Sequence, residues 1–127
     1  MTEASEVNIL IVEDSDEVAN IVIIGLRKTG WNVHHAINAQ AALDFIRDKR
    51  PDVILLDIGL PVMNGWQFLD EIYKDEDNLT IPVIVLSAYT DGENLKTGQL
   101  YNIYRYLGKP VTPQDLRQVI RKALDSG

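Results

Sequence analysis

Three short apolar runs rich in β-branched residues constrain the fold of this chain most strongly. They are residues 7–12, 53–56 and 83–86. Each run carries apolar residues on both faces, which is typical of a strand buried on both sides in a parallel sheet between two layers of helices. Two weaker runs, residues 31–37 and 103–107, predict two further strands. The sequence therefore predicts a five-stranded parallel sheet.

Amphipathic segments separate these runs, and apolar residues recur in four of them at the spacing of one helix face. The four stripes are Val18, Ile21, Val22, Gly25 and Leu26; Ala39, Ala42, Leu43 and Ile46; Phe68, Leu69 and Ile72; and Leu116, Val119, Ile120, Ala123 and Leu124. Residues 91–102 predict a further helix, the fourth in order, although Gly92 and Gly98 each weaken it by about 1 kcal/mol relative to alanine. The order is (βα)5. We therefore predict a flavodoxin-like, three-layer α/β domain with strand order 2-1-3-4-5, formed by residues 1–127.

Composition excludes several classes of function. The chain has no cysteine, so disulfides, zinc-thiolate sites and thiol nucleophiles are excluded. Its net charge of −7 comes with no basic patch of the kind that direct binding to nucleic acid requires. No apolar run approaches the roughly 20 residues of a membrane span, and residues 1–6 lack the features of a signal peptide. We expect a cytoplasmic protein that contacts neither nucleic acid nor a membrane directly.

Polar residues stand at the carboxyl ends of four predicted strands. Glu13 and Asp14 follow the first strand, Asp57 the third, Ser87 the fourth and Lys109 the fifth. In an open parallel sheet, ligands bind beyond these ends, near the point where the strand order reverses. A single acid at a strand end is usually a helix cap or part of a solvated turn. Complementary groups on four strand ends instead predict one functional site.

These residue types suit phosphoryl transfer to a carboxylate. Three crowded carboxylates repel one another, and a hard divalent cation such as Mg²⁺ (or Mn²⁺) would relieve that repulsion. The same cation stabilises charge on a transferring phosphoryl group, which Lys109 would approach from the other side. Ser87 is able to donate a hydrogen bond to a phosphoryl oxygen. Asp57, on the central strand, is the expected nucleophile.

Four motifs resemble the receiver domain of two-component response regulators, and the single-domain chemotaxis regulators in particular. The motifs are Ile-Val-Glu13-Asp14, Ile-Leu-Leu-Asp57-Ile-Gly-Leu-Pro-Val-Met-Asn-Gly65, Ile-Val-Leu-Ser87-Ala88 and Tyr106-Leu-Gly-Lys109-Pro110. The resemblance covers essentially the whole chain, and the spacing of the motifs is highly specific. It implies a phosphorylation-activated signalling switch of a two-component phosphorelay.

The resemblance also implies the partner and the metal ligands. Asp57 would accept a phosphoryl group from a phosphohistidine of a sensor histidine kinase or a histidine phosphotransfer protein. The side chains of Asp14 and Asp57 would bind Mg²⁺ directly. The backbone carbonyl of Gly59 would be a further ligand, and Glu13 would act through a water molecule.

The remaining roles concern the phosphoryl group and the response to it. Ser87, Lys109 and the backbone N–H of Ala88 would contact the phosphoryl group. Ser87 and Tyr106 would then report phosphorylation to the surface formed by the fourth helix, the fifth strand and the fifth helix, where an output protein would bind. The peptide bond before Pro110 would be cis.

The chain departs from the family pattern just before the fifth strand, where receivers usually carry small residues. It has Tyr101, Asn102 and Ile103 there, and we expect the larger side chains to alter the junction of the fourth helix and the fifth strand. The tyrosines of this region are compatible with packing or with an interface. His34 and His35 alternate along a strand, and we expect no metal site from them, since no further ligands lie nearby in the sequence.

Two other functions stay open from the sequence. One is a receiver that no longer switches and acts only as a scaffold, against which the intact acidic set, Ser87 and Lys109 argue. The other is a small Mg²⁺-dependent phosphohydrolase with an aspartyl-phosphate intermediate. Such an enzyme usually needs a second acid and a substrate cap, and the chain has no insertion long enough for a cap. We therefore expect catalysis only of the protein's own phosphorylation and dephosphorylation.

Overall fold

The computed structural model describes residues 6–60, 62–87, 101 and 103–126, and of Ser87 and Ser126 it describes the backbone only. The strands are β1 (Asn8–Val12), β2 (Asn32–Ala36), β3 (Val53–Asp57), β4 (Val83–Ser87) and β5 (Ile103–Gly108). The helices are α1 (Asp16–Leu26), α2 (Ala39–Asp48), α3 (Gly65–Ile72) and the C-terminal helix (Pro113–Ser126). The helix predicted for residues 91–102 lies outside the described residues, Tyr101 excepted. Within the described ranges, no helix has both the length and the apolar character that crossing a membrane requires.

The five strands form one parallel sheet in the order β2-β1-β3-β4-β5. This confirms the predicted strand order. At each end, the observed strand and the predicted run agree or differ by a single residue. Helices α2 and α3 pack on one face of the sheet. Helix α1 and the C-terminal helix pack on the other face. The result is the predicted three-layer α/β architecture.

The central strands are apolar at successive positions because they face two cores. Every residue of β1 is buried. Leu10 and Val12 join the core beneath α2 and α3, whereas Ile9 and Ile11 join the core beneath α1 and the C-terminal helix. Full burial of one such side chain stabilises the fold by about 1.5–3 kcal/mol. The edge strands β2 and β5 are only partly buried, which explains their weaker sequence signals.

The apolar stripe predicted for α1 is wrong in one part. Val22 and Leu26 are buried as the spacing indicates, but Ile21 is 55% exposed. The helix meets the C-terminal helix at Gly25, where a Cβ atom would lie only 2.5 Å from Cβ of Pro113. This close approach sets the distance between α1 and the C-terminal helix at Gly25, whereas Ile21, one turn earlier, stays largely exposed.

Candidate functional site

The register of the sheet brings the predicted polar residues to one edge. Val12 of β1 pairs with Leu56 of β3, and Ser87 of β4 pairs with Gly108 of β5. The residues that follow these strands therefore emerge side by side. We call the group Glu13, Asp14, Asp57 and Lys109 the carboxyl-end site.

The carboxyl-end site combines three carboxylates with one ammonium group. Carboxylate oxygens of Glu13, Asp14 and Asp57 all lie within 4.8 Å of one another. Lys109 Nζ donates to Glu13 Oε1 at 2.9 Å and to Asp57 Oδ2 at 3.4 Å. The side chain of Glu13 is 2% exposed and that of Asp57 is 13% exposed, whereas Asp14 is open to solvent. One cation thus faces three anions in a partly dry environment.

The pKa values reflect this imbalance. Burial raises the pKa of Glu13, and the charge of Asp57 adds to the rise, although the hydrogen bond from Lys109 opposes it. Burial alone would lower the pKa of Lys109, but the hydrogen bond to Glu13 and the charges of Asp57 and Glu13 raise it above its ordinary value. The ammonium group is therefore held charged, while among the described residues the negative charge around Glu13 stays incompletely compensated.

Asp57 is held by the loop that follows β3, and the start of α3 packs closely against this loop. The backbone N–H of Gly59 donates to Asp57 Oδ1 at 2.9 Å. Asn64 begins α3 with a capping box completed by Gln67. A Cβ atom on Gly65 would lie 2.9 Å from Cα of Ile58 and 3.2 Å from the carbonyl oxygen of Asp57. Glycine is thus required at position 65 for the helix to begin directly over the phosphoacceptor candidate.

The turn that carries Glu13 and Asp14 is held between β2 and α1. The backbone N–H of Glu13 donates to the carbonyl of Ala36 at 3.0 Å, one residue beyond the end of β1. The N–H of Ser15 reaches Glu13 Oε2 at 3.3 Å. Ser15 Oγ caps α1 by accepting from the N–H of Val18 at 3.2 Å. The acidic pair is therefore presented by a short turn anchored at both sides.

The donor set of this site fits a hard divalent cation. All three groups of the cluster are carboxylates, and oxygen donors favour ions such as Mg²⁺ or Mn²⁺ over zinc or copper. The ammonium of Lys109 already bridges Glu13 and Asp57, so the place attracts positive charge. Across the described ranges, His34 and His35 belong to no such cluster.

The other predicted site residues are placed less completely. The backbone of Ser87 lies in β4 opposite Gly108, but its side chain is outside the described atoms. Ala88 is outside the described residues altogether. The Lys109–Pro110 peptide bond is cis. Gly59 contacts Asp57 through its N–H, and a role for its carbonyl stays a prediction.

Tyr106 packs against the core beneath α2 and α3. Its hydroxyl oxygen is buried and has no hydrogen-bond partner within the described part of the chain, and burial raises its pKa. Burying a hydroxyl group without a partner costs roughly 1–3 kcal/mol. The position of Tyr106 is therefore compatible with a second arrangement of this side chain.

The partners of Tyr101 were not predicted from the sequence. The Tyr101 ring stacks on Trp66, with the ring centroids 5.1 Å apart, and its hydroxyl donates to Asp70 Oδ1 at 2.9 Å. Trp66 and Asp70 lie four residues apart, on one face of α3. This four-residue spacing predicts that Trp66 and Asp70 share one face of the helix, but it does not predict which residue that face contacts. The large side chain before β5 is thus accommodated by α3.

Comparison with known proteins agrees with this geometry. The family model of the response regulator receiver domain matches residues 9–121. The protein PilH of Pseudomonas aeruginosa is 33% identical over 116 residues, which are 91% of this chain and 96% of PilH. A solved structure of a chemotaxis protein from Vibrio cholerae superposes with a TM-score of 0.89 at 27% identity, and the match covers 94% of this chain and 100% of that chain.

Many relatives are longer proteins. The regulatory protein AtoC of Escherichia coli is 33% identical over 116 residues, which are 91% of this chain but 25% of AtoC. Across five of the curated relatives, the match spans from 25% to 56% of their length. The family match nevertheless covers residues 9–121, which include the strands that lead to the acids and the lysine. The chain therefore belongs to the response regulator receiver family.

Proposed function

We propose that this protein is a phosphorylation-controlled signalling switch in which Asp57 is the phosphoryl acceptor. One observation carries the proposal. Asp57 forms an ion pair with Lys109 and lies beside the carboxylates of Glu13 and Asp14, at the edge of the sheet where the strand order reverses. We propose residues 1–127 as one receiver domain of a cytoplasmic two-component phosphorelay. The donor would be a phosphohistidine on a sensor histidine kinase or a histidine phosphotransfer protein.

The chemistry follows from the groups around Asp57. A carboxylate oxygen of Asp57 forms the bond to phosphorus as the bond from phosphorus to the donor's histidine nitrogen breaks. Lys109, already 3.4 Å from Asp57 Oδ2, would then compensate charge on the phosphoryl oxygens. The N–H of Gly59 keeps the other carboxylate oxygen oriented. The reacting atom therefore meets a preorganised cation and a fixed nucleophile.

A divalent cation completes the site in this proposal. The side chains of Asp14 and Asp57, the carbonyl of Gly59 and, through water, Glu13 would hold it. When bound, Mg²⁺ or Mn²⁺ would neutralise the clustered carboxylates and the charge on the phosphoryl group. The carboxylates that would bind the cation are the protein's own, and no substrate cap accompanies them in the sequence. We therefore propose catalysis only of the protein's own phosphorylation and dephosphorylation.

The test is phosphorylation of the purified chain by acetyl phosphate with Mg²⁺, followed by intact-mass measurement. We expect one added phosphoryl group, and none in Asp57→Asn, because the amide is not a nucleophile. Asp70→Asn serves as the matched control, since Asp70 is an aspartate of α3 that binds Tyr101 rather than the site. A phosphoryl group that persists in Asp57→Asn, or its absence from the wild type, would contradict the proposal.

The response would pass through Ser87 and Tyr106. We propose that Ser87, Lys109 and the Ala88 N–H move toward the new phosphoryl oxygens, and that Tyr106 changes its side-chain arrangement in response. The hydroxyl of Tyr106, which is buried and has no hydrogen-bond partner among the described residues, supports this step. The output surface would comprise the predicted fourth helix, β5 and the C-terminal helix.

Substitution of Tyr106 separates this step from the chemistry. We expect Tyr106→Ala to be phosphorylated on Asp57 like the wild type but to lose the phosphorylation-dependent change in hydrogen exchange in β5. Hydrogen exchange with and without a beryllium fluoride complex, a stable phosphoryl mimic, measures it. An unchanged response of β5 in Tyr106→Ala would remove Tyr106 from the proposed route.

A further inference from the structure

The carbonyl group of Glu13 is held by a histidine side chain. The backbone N–H of Glu13 continues the parallel hydrogen-bond ladder between β1 and β2 by donating to the carbonyl of Ala36. In a continuing ladder, the Glu13 carbonyl would next accept from the backbone N–H of Asn38. Asn38 instead caps α2, where the chain leaves the sheet. His35 Nε2 lies 2.7 Å from the Glu13 carbonyl oxygen and takes the place of that ladder donor.

The contact fixes the proton on His35. A carbonyl oxygen only accepts, so Nε2 must carry the hydrogen and donate it. The ring is 20% exposed, so water competes little for this bond. On the other side of the ring, Nδ1 is 4.0 Å from Oδ1 of Asp16, a mostly exposed carboxylate. That distance exceeds a hydrogen bond, and such a pair contributes little. The Glu13 carbonyl is therefore the main polar partner of His35.

The held carbonyl belongs to the peptide unit that leads to Asp14. Because the peptide group is planar, fixing the Glu13 carbonyl also fixes the N–H of Asp14 and the direction in which its Cα leaves the plane. Within the turn itself, the hydrogen bond from the Ser15 N–H to Glu13 Oε2 is longer, at 3.3 Å. The bond from His35 thus helps to fix the backbone from which the exposed Asp14 side chain extends.

We propose that His35 is a positioning residue for cation binding: it holds the turn from Glu13 to Ser15 so that the carboxylates of Glu13 and Asp14 converge with Asp57. The inference rests on the proposed function, in which this site binds a divalent cation. His35 touches neither the cation nor the phosphoryl group. Its effect is on the affinity for the cation, and not on the chemistry at Asp57 once the cation is bound.

The test compares four variants of the full chain by calorimetric titration with MgCl₂. We expect His35→Leu to weaken Mg²⁺ binding roughly 10-fold, the lower range for loss of a residue that orients metal ligands. His35→Gln should restore most of the affinity, because its side-chain NH₂ group is able to donate to the same carbonyl. His35→Asn, which is too short to reach, should not. At saturating Mg²⁺, acetyl phosphate should label Asp57 in all of them.

His34→Leu is the matched control, because it removes the neighbouring histidine of β2 and its 3.1 Å contact with Asn8 Oδ1. We expect its Mg²⁺ affinity to equal that of the wild type. Wild-type affinity in His35→Leu, or equal weakening in both histidine variants, overturns the inference. If His35→Leu does not fold, the Gln and Asn variants decide, and equal affinities in those two overturn it. Each of these variant outcomes overturns the inference about His35 alone. If the wild type binds no Mg²⁺, the proposed function and the inference are both overturned.

Discussion

At both ends of β1 a polar residue is buried between neighbouring strands: Asn8 at the amino end and Glu13 at the carboxyl end. The Asn8 N–H donates to Asp52 Oδ2 at 2.8 Å, its carbonyl accepts from the Asp52 N–H at 2.8 Å, and its Oδ1 lies 3.1 Å from Nε2 of His34. Glu13 shares one ammonium, that of Lys109, with Asp57. Within the described part of the chain, the buried polar groups are hydrogen-bonded at the amino end, whereas negative charge exceeds positive charge at the carboxyl end.

The backbone shows the same contrast. On the amino side, before β2, the chain turns at Gly30 with a φ of 83°, a conformation that glycine adopts without a steric cost. On the carboxyl side, after β3, Val62 has a φ of 67°. For a β-branched residue that conformation costs roughly 1–2 kcal/mol. Uncompensated charge and backbone strain therefore coincide at the end of the sheet that we propose to be functional, which is where such costs are usually found.

The largest expected effect comes from removing one acid at each end. Asp14→Ala should weaken Mg²⁺ binding by at least about 10-fold, because it removes a carboxylate ligand. Its effect on stability should be small, since Asp14 is exposed. Asp52→Ala should do the opposite: it leaves the buried N–H of Asn8 without its acceptor and costs roughly 1–3 kcal/mol. Calorimetric titration and urea unfolding measure the two quantities.

The two variants serve as controls for each other. If Asp52→Ala also lost Mg²⁺ affinity, the two ends would be coupled through the sheet. If Asp14→Ala kept its affinity, the acidic cluster would not be the cation site. Either result would break the distinction between a structural end and a functional end.

The next effect concerns the close approach of α3 to β3. Gly65→Ala places a methyl group 2.9 Å from Cα of Ile58, so the start of the helix must move away from Asp57. We expect a loss of about 1–3 kcal/mol in the free energy of unfolding, as for other overpacked sites, together with slower phosphorylation of Asp57. Urea unfolding and intact-mass time courses measure the two effects.

Gly30→Ala is the matched change at the amino end. A Cβ atom there meets nothing within 4 Å, so only its positive φ is unfavourable. We expect a cost of roughly 1–2 kcal/mol and an unchanged rate of phosphorylation. Equal rates for the two alanine variants would show that the position of α3 does not control the site.

The contrast between the ends also marks what the sequence was able to predict. The strand order and the convergence of Glu13, Asp57 and Lys109 follow from local patterns, because the carboxyl ends of parallel strands share one edge. The bond from His35 to the Glu13 carbonyl and the stacking of Tyr101 on Trp66 were not predicted. These contacts join segments 22 and 35 residues apart, and periodicity within one segment does not specify which side chains meet across two.

The smallest expected effect is a pH dependence at the amino end. Burial lowers the pKa of His34 below its ordinary value of 6.5, and the charge of Lys49 adds to the shift. Its ring also packs against Phe45, with the centroids 4.8 Å apart. The unfolded chain therefore binds a proton at a pH where the folded chain does not. The contribution of His34 to the free energy of unfolding is largest above about pH 7.5. It decreases as the pH drops through 6.5 toward the lowered pKa.

His34→Gln isolates this contribution, since it removes the titrating group and keeps an amide able to donate to Asn8. Protonation of His34 does not break that bond, because Nε2 donates to Asn8 Oδ1 in the neutral and the charged ring alike. The loss of stability at low pH must then come from the burial of the charged His34 ring and from its repulsion by Lys49. We expect urea unfolding between pH 5 and 8 to show a wild-type advantage over His34→Gln that shrinks as the pH falls. An advantage that grows toward low pH would mean that the charged ring is stabilised, and the amino end would then hold an unmatched charge of its own.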